Sequence, residues 1–201
     1  MIYSPRKTIL NGKEVLVKDD ELVGYREQLG HENRILIFSG KIDGTRDIHD
    51  LLLSMDTLSH KPIKIFIASG GGELDMAYMI YDTMKMIQSP IFTIGRYCAS
   101  AAVMLLAAGS KRYLQPHANI MLHLPSGKFE GDSEELRIQN KLMEGYRDTM
   151  VNILRECGVK KTKEEILTDI NRQFWMTPQE AIDYGLADEI ITPEIWAGFL
   201  K

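Results

Sequence analysis

Four short segments carry the residue types that chemistry needs. Ser100 stands in Tyr97-Cys98-Ala99-Ser100-Ala101-Ala102, where an apolar run passes into an alanine-rich one. A serine opening an apolar helix is a nucleophile beside unpaired N–H groups and the positive end of the helix dipole, which can stabilise an oxyanion. Taken alone, its ordinary reading is an N-cap. His123 closes the run Ile120-Met121-Leu122 and is followed by Leu124-Pro125. Imidazole is the usual general base and acid near neutral pH, although a histidine ending a strand is often only structural. Ser69-Gly70-Gly71-Gly72 supplies three glycines that tolerate positive φ and let backbone N–H groups approach a ligand oxygen. It is not a phosphate loop, because Glu73-Leu74 stand where Lys and Ser/Thr are needed. Asn171-Arg172-Gln173-Phe174-Trp175-Met176-Thr177 adds polar residues leading into two aromatics, whose ordinary role is packing.

The elements that must position these residues alternate between strand and helix. Ile35-Leu36-Ile37-Phe38, closed by Ser39-Gly40, reads as a strand buried on both faces. Ile48, Leu51, Leu52, Met55 and Leu58 form one helical stripe, stopped by Lys61-Pro62 before a second strand, Ile63 to Ala68. Leu74, Ala77, Ile80, Met84 and Ile87 line a second helix, and Ser89-Pro90 precedes a third strand, Ile91 to Ile94. The apolar segment from Ser100 to Ala108 follows, then two strand candidates, Arg112 to Leu114 and Ile120 to His123. This order predicts an α/β fold with a parallel sheet covered on both faces and right-handed crossovers. The four segments then fall at the C-terminal ends of strands, where open α/β sheets bind ligands.

Ser133 to Cys157 predicts a helix of roughly 35 Å with apolar residues at Leu136, Leu142, Met143, Tyr146, Met150, Val151, Ile153 and Leu154. It overhangs a domain of this size, so its outer stripe needs another surface, and self-association is the natural inference. Pro178 to Tyr184 reads as a last helix ended by Gly185, before Glu189-Ile190-Ile191. Residues 1–33 lack a sustained apolar period and read as a turn-rich segment with no assigned chemistry, leaving 34–201 as the functional domain.

Composition narrows the function classes. With 201 residues the chain suits one domain, and 24 Lys+Arg against 28 Asp+Glu without a basic block argue against nucleic-acid binding. The longest apolar run, Ala99 to Ala108, is too short for a membrane span. Met1-Ile2-Tyr3-Ser4-Pro5-Arg6 lacks the order of a secretory signal, so a cytoplasmic location is expected. Cys98 and Cys157 have neither disulfide-framework nor metal-ligand spacing, so both are expected reduced, with no metal.

Taken together and in this order, the segments resemble the ClpP-type serine peptidases from about Arg34 to Ile191. Arg34 to Gly40 is similar to the family's first core strand, and Gly71-Gly72 with Ile80-Tyr81-Asp82-Thr83-Met84 to its glycine turn and helix. Ala99-Ser100 with Leu105-Leu106-Ala107-Ala108-Gly109 resembles the nucleophile segment, and Met121-Leu122-His123-Leu124-Pro125 the histidine motif. Glu180-Ala181 with Tyr184-Gly185-Leu186-Ala187-Asp188 resembles the closing signature. The resemblance implies a ClpP/crotonase-like fold of stacked βαβ units with the long helix protruding. It implies Ser100 as nucleophile, His123 as base and acid, and the N–H groups of Gly72 and Ala101 as oxyanion hole. It further implies stacked rings, a tetradecamer, interlocked by the helix at 133–157. An ATP-dependent unfoldase would feed unfolded chains to them; the ATP would be the partner's, with no cofactor in this chain.

Three departures accompany the resemblance. The family's Gly-x-Ala-x-Ser is Tyr97-Cys98-Ala99-Ser100 here, one residue shorter by this alignment, and Asn-Ser-Pro of the glycine turn is Ala68-Ser69-Gly70. Counting back from Glu180-Ala181 puts Gln173 where the family has its third catalytic residue, an aspartate. Asp169, one helical turn earlier, is the other candidate, with Asn171 between them. Two rival readings follow: a non-catalytic structural subunit completing a mixed ring, and a relative with acyl-CoA chemistry that keeps paired N–H groups but needs no Ser-His pair.

Overall fold

The structure is a computed structural model that describes the backbone of residues 6–10 and 13–17, and residues 32–43 and 46–199. Strands β1 (Arg6–Leu10) and β2 (Lys13–Val17) pair antiparallel, within the segment that the sequence leaves unassigned. The rest of residues 1–31 lies outside the described residues.

The main sheet has six strands: β3 (Ile35–Ser39), β4 (Ile63–Ser69), β5 (Ile91–Ala99), β6 (Lys111–Leu122), β7 (Phe174–Met176) and β8 (Glu189–Ile190). β3 to β6 run parallel in spatial order, β7 is antiparallel to β6, and β8 pairs with the first half of β6. Helices α1 (Arg46–Leu58), α2 (Leu74–Met86) and α3 (Ala101–Ala107) make the three crossovers. They close over Ile63, Ile65 and Ile67 of β4 with Leu52, Met55, Ile80 and Met84. Each such side chain contributes roughly 1.5–3 kcal/mol on burial.

The other face is covered differently from what the apolar runs predict. There a short C-terminal helix, α7 (Pro193–Phe199), lays Trp196 on Phe66 and Phe199 on Phe92 and Tyr113, with ring centroids 5.4–5.8 Å apart. That cover does not extend to the edge strand, so Ile37 of β3 stays 74% exposed while Leu36 and Phe38 are buried. The strand expected to be buried on both faces is thus buried on one.

The two strand candidates at Arg112–Leu114 and Ile120–His123 are one strand. Both pair with β5, either side of a register shift in which Arg96 stands against residues 115–118. Pro116 and its polar neighbours end the apolar pattern there without ending the strand.

α4 (Ser133–Glu156) starts at an Asp132–Glu135 capping box. Met150, Val151, Ile153 and Leu154 of its last turns are buried, whereas Leu136, Ile138 and Leu142 are exposed on the part that overhangs the core. α5 (Lys163–Asp169) and α6 (Pro178–Tyr184) flank β7, and α6 ends at Gly185 with φ 96°, as the glycine there predicts.

Candidate active site

Ser100 lies between the end of β5 and the start of α3, with φ 58° and ψ −129°. A non-glycine residue at such a φ costs on the order of 1–3 kcal/mol and persists only where its surroundings fix it. They do so here: Ser100 N–H donates to Met121 O at 2.7 Å, Val103 N–H donates to Ser100 O at 3.0 Å, and all seven residues of α3 are buried. The hydroxyl makes no capping bond to the helix. It sits 2.8 Å from His123 Nε2, placed to donate to a neutral imidazole.

Register explains the meeting. Ala99 of β5 pairs with Met121 of β6, so the chain leaves two adjacent parallel strands with Ser100 on one and His123 on the other. The strand reaches Ala99 unbroken, with its irregularity at Arg96, so no gap opens ahead of Ser100. Cys98, two residues before Ser100, is fully buried; burial pushes its thiol up to about 12, which removes it as a rival nucleophile.

The glycine turn reaches this elbow through Gly71. A Cβ on Gly71, whose φ is 88°, would come within 2.7 Å of Ala99 O, 2.8 Å of Ser100 Cβ and 3.0 Å of Ala101 N. The Gly71 N–H donates to Ser69 Oγ at 3.1 Å. Gly72, one peptide further, bridges to Ile42, whose N–H donates to Gly71 O and whose carbonyl accepts from Glu73 N–H. Those bonds leave the Gly72 N–H without an acceptor among the described residues, and Ala101, as the first residue of α3, has no carbonyl four residues back within the helix. The sequence singles out Gly72 and misses the close approach of Gly71.

The two candidates for a third residue separate. Asp169 does not serve His123: its carboxylate accepts from Lys161 Nζ at 2.6 Å and from Tyr184 OH at 3.0 Å, tying the end of α5 to α6. Gln173 falls at the end of the β6–β7 ladder from which His123 emerges. The ladder ends at the pair Leu122–Phe174, and the next bond, from Leu124 N–H to Ile170 O, is out of that register, so His123 leaves β6 facing the stretch 171–173 that contains Gln173. Yet the Gln173 amide oxygen accepts from Trp175 Nε1–H at 3.2 Å, and His123 Nδ1 has no hydrogen-bond partner among the described residues. Trp175, which the sequence reads as a packing aromatic, is exposed at the site and tilted against Tyr97 with ring centroids 6.4 Å apart.

A strained serine on a strand-to-helix elbow, its hydroxyl against a histidine leaving the next strand, defines the class: a serine hydrolase built on stacked βαβ units. Comparison with known proteins gives the family. The model of the Clp protease family matches residues 19–194. The ATP-dependent Clp protease proteolytic subunit 1 of Rhodopirellula baltica is 35% identical over 167 residues, covering 80% of this chain and 73% of that protein. Proteolytic subunit 2 of Bifidobacterium longum is 38% identical over 135 residues, covering 66% of this chain and 65% of that protein. Among solved structures, a point mutant of ClpP1 from Listeria monocytogenes superposes with a TM-score of 0.77 at 29% identity, covering 88% of this chain and 99% of that one. The chain belongs to the Clp protease family, and its activity is serine-type peptide-bond hydrolysis. Among the described residues, no helix is long and apolar enough to cross a membrane.

Proposed function

We propose that Ser100 and His123 carry this hydrolysis, on unfolded polypeptides. The observation that carries the assignment is the 2.8 Å approach of Ser100 Oγ to His123 Nε2 from a serine whose hydroxyl caps nothing. His123 Nε2 takes the hydroxyl proton as Oγ forms a bond to the scissile carbonyl carbon. The carbonyl oxygen becomes an anion facing the N–H groups of Gly72 and Ala101, which need no reorganisation to receive it. The C–N bond then breaks as His123 returns the proton to the leaving amine. Water, deprotonated by the same imidazole, releases the acyl group and restores Ser100.

Gln173 occupies the third position in this reading. Its amide can accept from His123 Nδ1–H but, being neutral, cannot stabilise the imidazolium as a carboxylate does. The result is a peptidase slower than its acid-bearing relatives. Subunits self-associate into stacked rings, a tetradecamer, through the exposed stripe of α4. A partner unfoldase spends the ATP and delivers chains; this subunit requires no cofactor. A cytoplasmic location suits its two free thiols.

Hydrolysis of a short fluorogenic peptide tests the assignment. Ser100→Ala and His123→Ala should each remove the activity without lowering Tm. Full activity in either variant would overturn it.

A further inference from the structure

The geometry points to Trp175 as a positioning residue that holds the Gln173 amide away from His123, so that among the described residues the histidine Nδ1 rests without a hydrogen-bond partner. The inference rests on the peptidase reading of Ser100 and His123. Trp175 is 48% exposed, whereas its neighbour Met176 is buried, so core packing does not account for the indole. Gln173 and Trp175 are two residues apart in the chain that leads into β7 and so share a face, and Gln173 and His123 each stand one residue beyond the last pair of the β6–β7 ladder, Leu122–Phe174. Among the described residues the indole N–H has one polar partner, the Gln173 amide oxygen, at 3.2 Å.

The ring is in turn held in place. Tyr97, 40% exposed, lies against it at 6.4 Å with an interplanar angle of 35°. Tyr97 also covers Gly70, where a Cβ would come 3.7 Å from the tyrosine Cε1. The aromatic pair thus spans from the glycine turn to β7 across the strand that delivers His123.

The chemical consequence concerns the imidazole tautomer. An amide oxygen that accepted from Nδ1–H would keep Nε2 bare, the form able to take the Ser100 proton. With that oxygen directed at the indole, nothing on β7 fixes the tautomer. Removing the indole N–H releases the amide to His123.

The test compares the parent with Trp175→Phe, each also carrying Gln173→Ala, by kcat and KM for a short peptide and by the rate at which a fluorophosphonate labels Ser100. Trp175→Phe should raise kcat and labelling roughly two- to tenfold, the range of one neutral hydrogen bond. KM should stay nearly constant, and Gln173→Ala should erase the gain. A purely structural Trp175 would give no gain, or a change that persists without Gln173; either result overturns the inference. Should Trp175→Phe fold poorly, Tyr97→Leu loosens the ring without touching β7 and must give the same Gln173-dependent gain. Absence of that gain overturns the inference as well. Failure to label Ser100 in both the parent and Gln173→Asp would sink the peptidase reading and this inference with it. Labelling that ignores Trp175 sinks this inference alone.

Discussion

Replacing Gln173 by aspartate puts a carboxylate just past the end of the β6–β7 ladder, where His123 leaves β6. Taking a charge separation of about 5 Å, the attraction to an imidazolium is about 0.8 kcal/mol at the dielectric constant of water and about 3 kcal/mol at an effective value of 20. Gln173 is exposed and His123 half-buried, so the site lies between these limits. A value of about 1.4 kcal/mol corresponds to roughly one pH unit and a tenfold change in rate. The carboxylate favours the protonated imidazole, while the reaction needs the neutral base. The acid limb of the pH–rate profile should therefore move up by about one unit, and the plateau above it should rise about tenfold as the imidazolium of the transition state is stabilised. That gain is a fraction of the ~10⁴ that a buried, well-aligned carboxylate supplies in the best-studied serine protease. The assay is kcat for a fluorogenic peptide from pH 5 to 9, with Asp169→Asn run alongside. Asp169→Asn should leave the shape of the profile unchanged, because Lys161 and Tyr184 hold that carboxylate. An unchanged plateau and limb in Gln173→Asp, with Tm preserved, would refute the placement of Gln173 beside His123.

Three further outcomes follow from other parts of the structure. Gly71→Ala should reduce peptide hydrolysis by about a hundredfold or more while the far-UV circular dichroism stays native, since its methyl would meet Ala99 O at 2.7 Å on a φ of 88° that alanine resists. Burial pushes Asp56 up, but hydrogen bonds from Ser89, His60 and the Gln88 amide outweigh it and hold its carboxyl at about 2. A depressed carboxylate contributes stability that is fully present above the unfolded value near 4, so Tm should fall as pH drops from about 4 to about 2, and less steeply in Asp56→Asn. Leu136→Asp with Leu142→Asp should shift the particle mass by light scattering from a large assembly to small species, because both side chains are exposed on the overhanging half of α4; an undiminished mass would exclude that stripe as an interface.

Much of this arrangement was legible in the sequence because it is local or ordered along the chain. The stripe of α2 follows from spacing and the end of α6 from Gly185, whereas of the α1 stripe only Ile48, Leu52 and Met55 are buried and Leu51 and Leu58 are exposed. Motifs single out Ser100, His123 and the glycine turn, and the structure brings Ser100 and His123 together. What depends on cross-strand register was not readable. Periodicity shows that Ile37 is apolar, but not that α7 stops short of covering it. A polar stretch around Pro116 looks like a break until both flanking segments are paired with β5. Asp169 is a suitable acid one turn away from Gln173, and only the positions of Lys161 and Tyr184 show where its charge is used. Gly71 and Gly72 are adjacent and chemically identical, and what distinguishes them is that one backbone lies against Ser100 and the other against Ile42. For Trp175 a signal did exist: alternation in an extended strand sets it on the same face as Gln173.

The most direct test of the account is where a fluorophosphonate attaches. The reagent needs a serine whose proton is taken by a neighbouring base, so digestion and mass mapping after labelling should find the adduct on Ser100, with Ser100→Ala unlabelled and His123→Ala labelled far more slowly. An adduct on another residue, or labelling that survives Ser100→Ala, would contradict the assignment of the site.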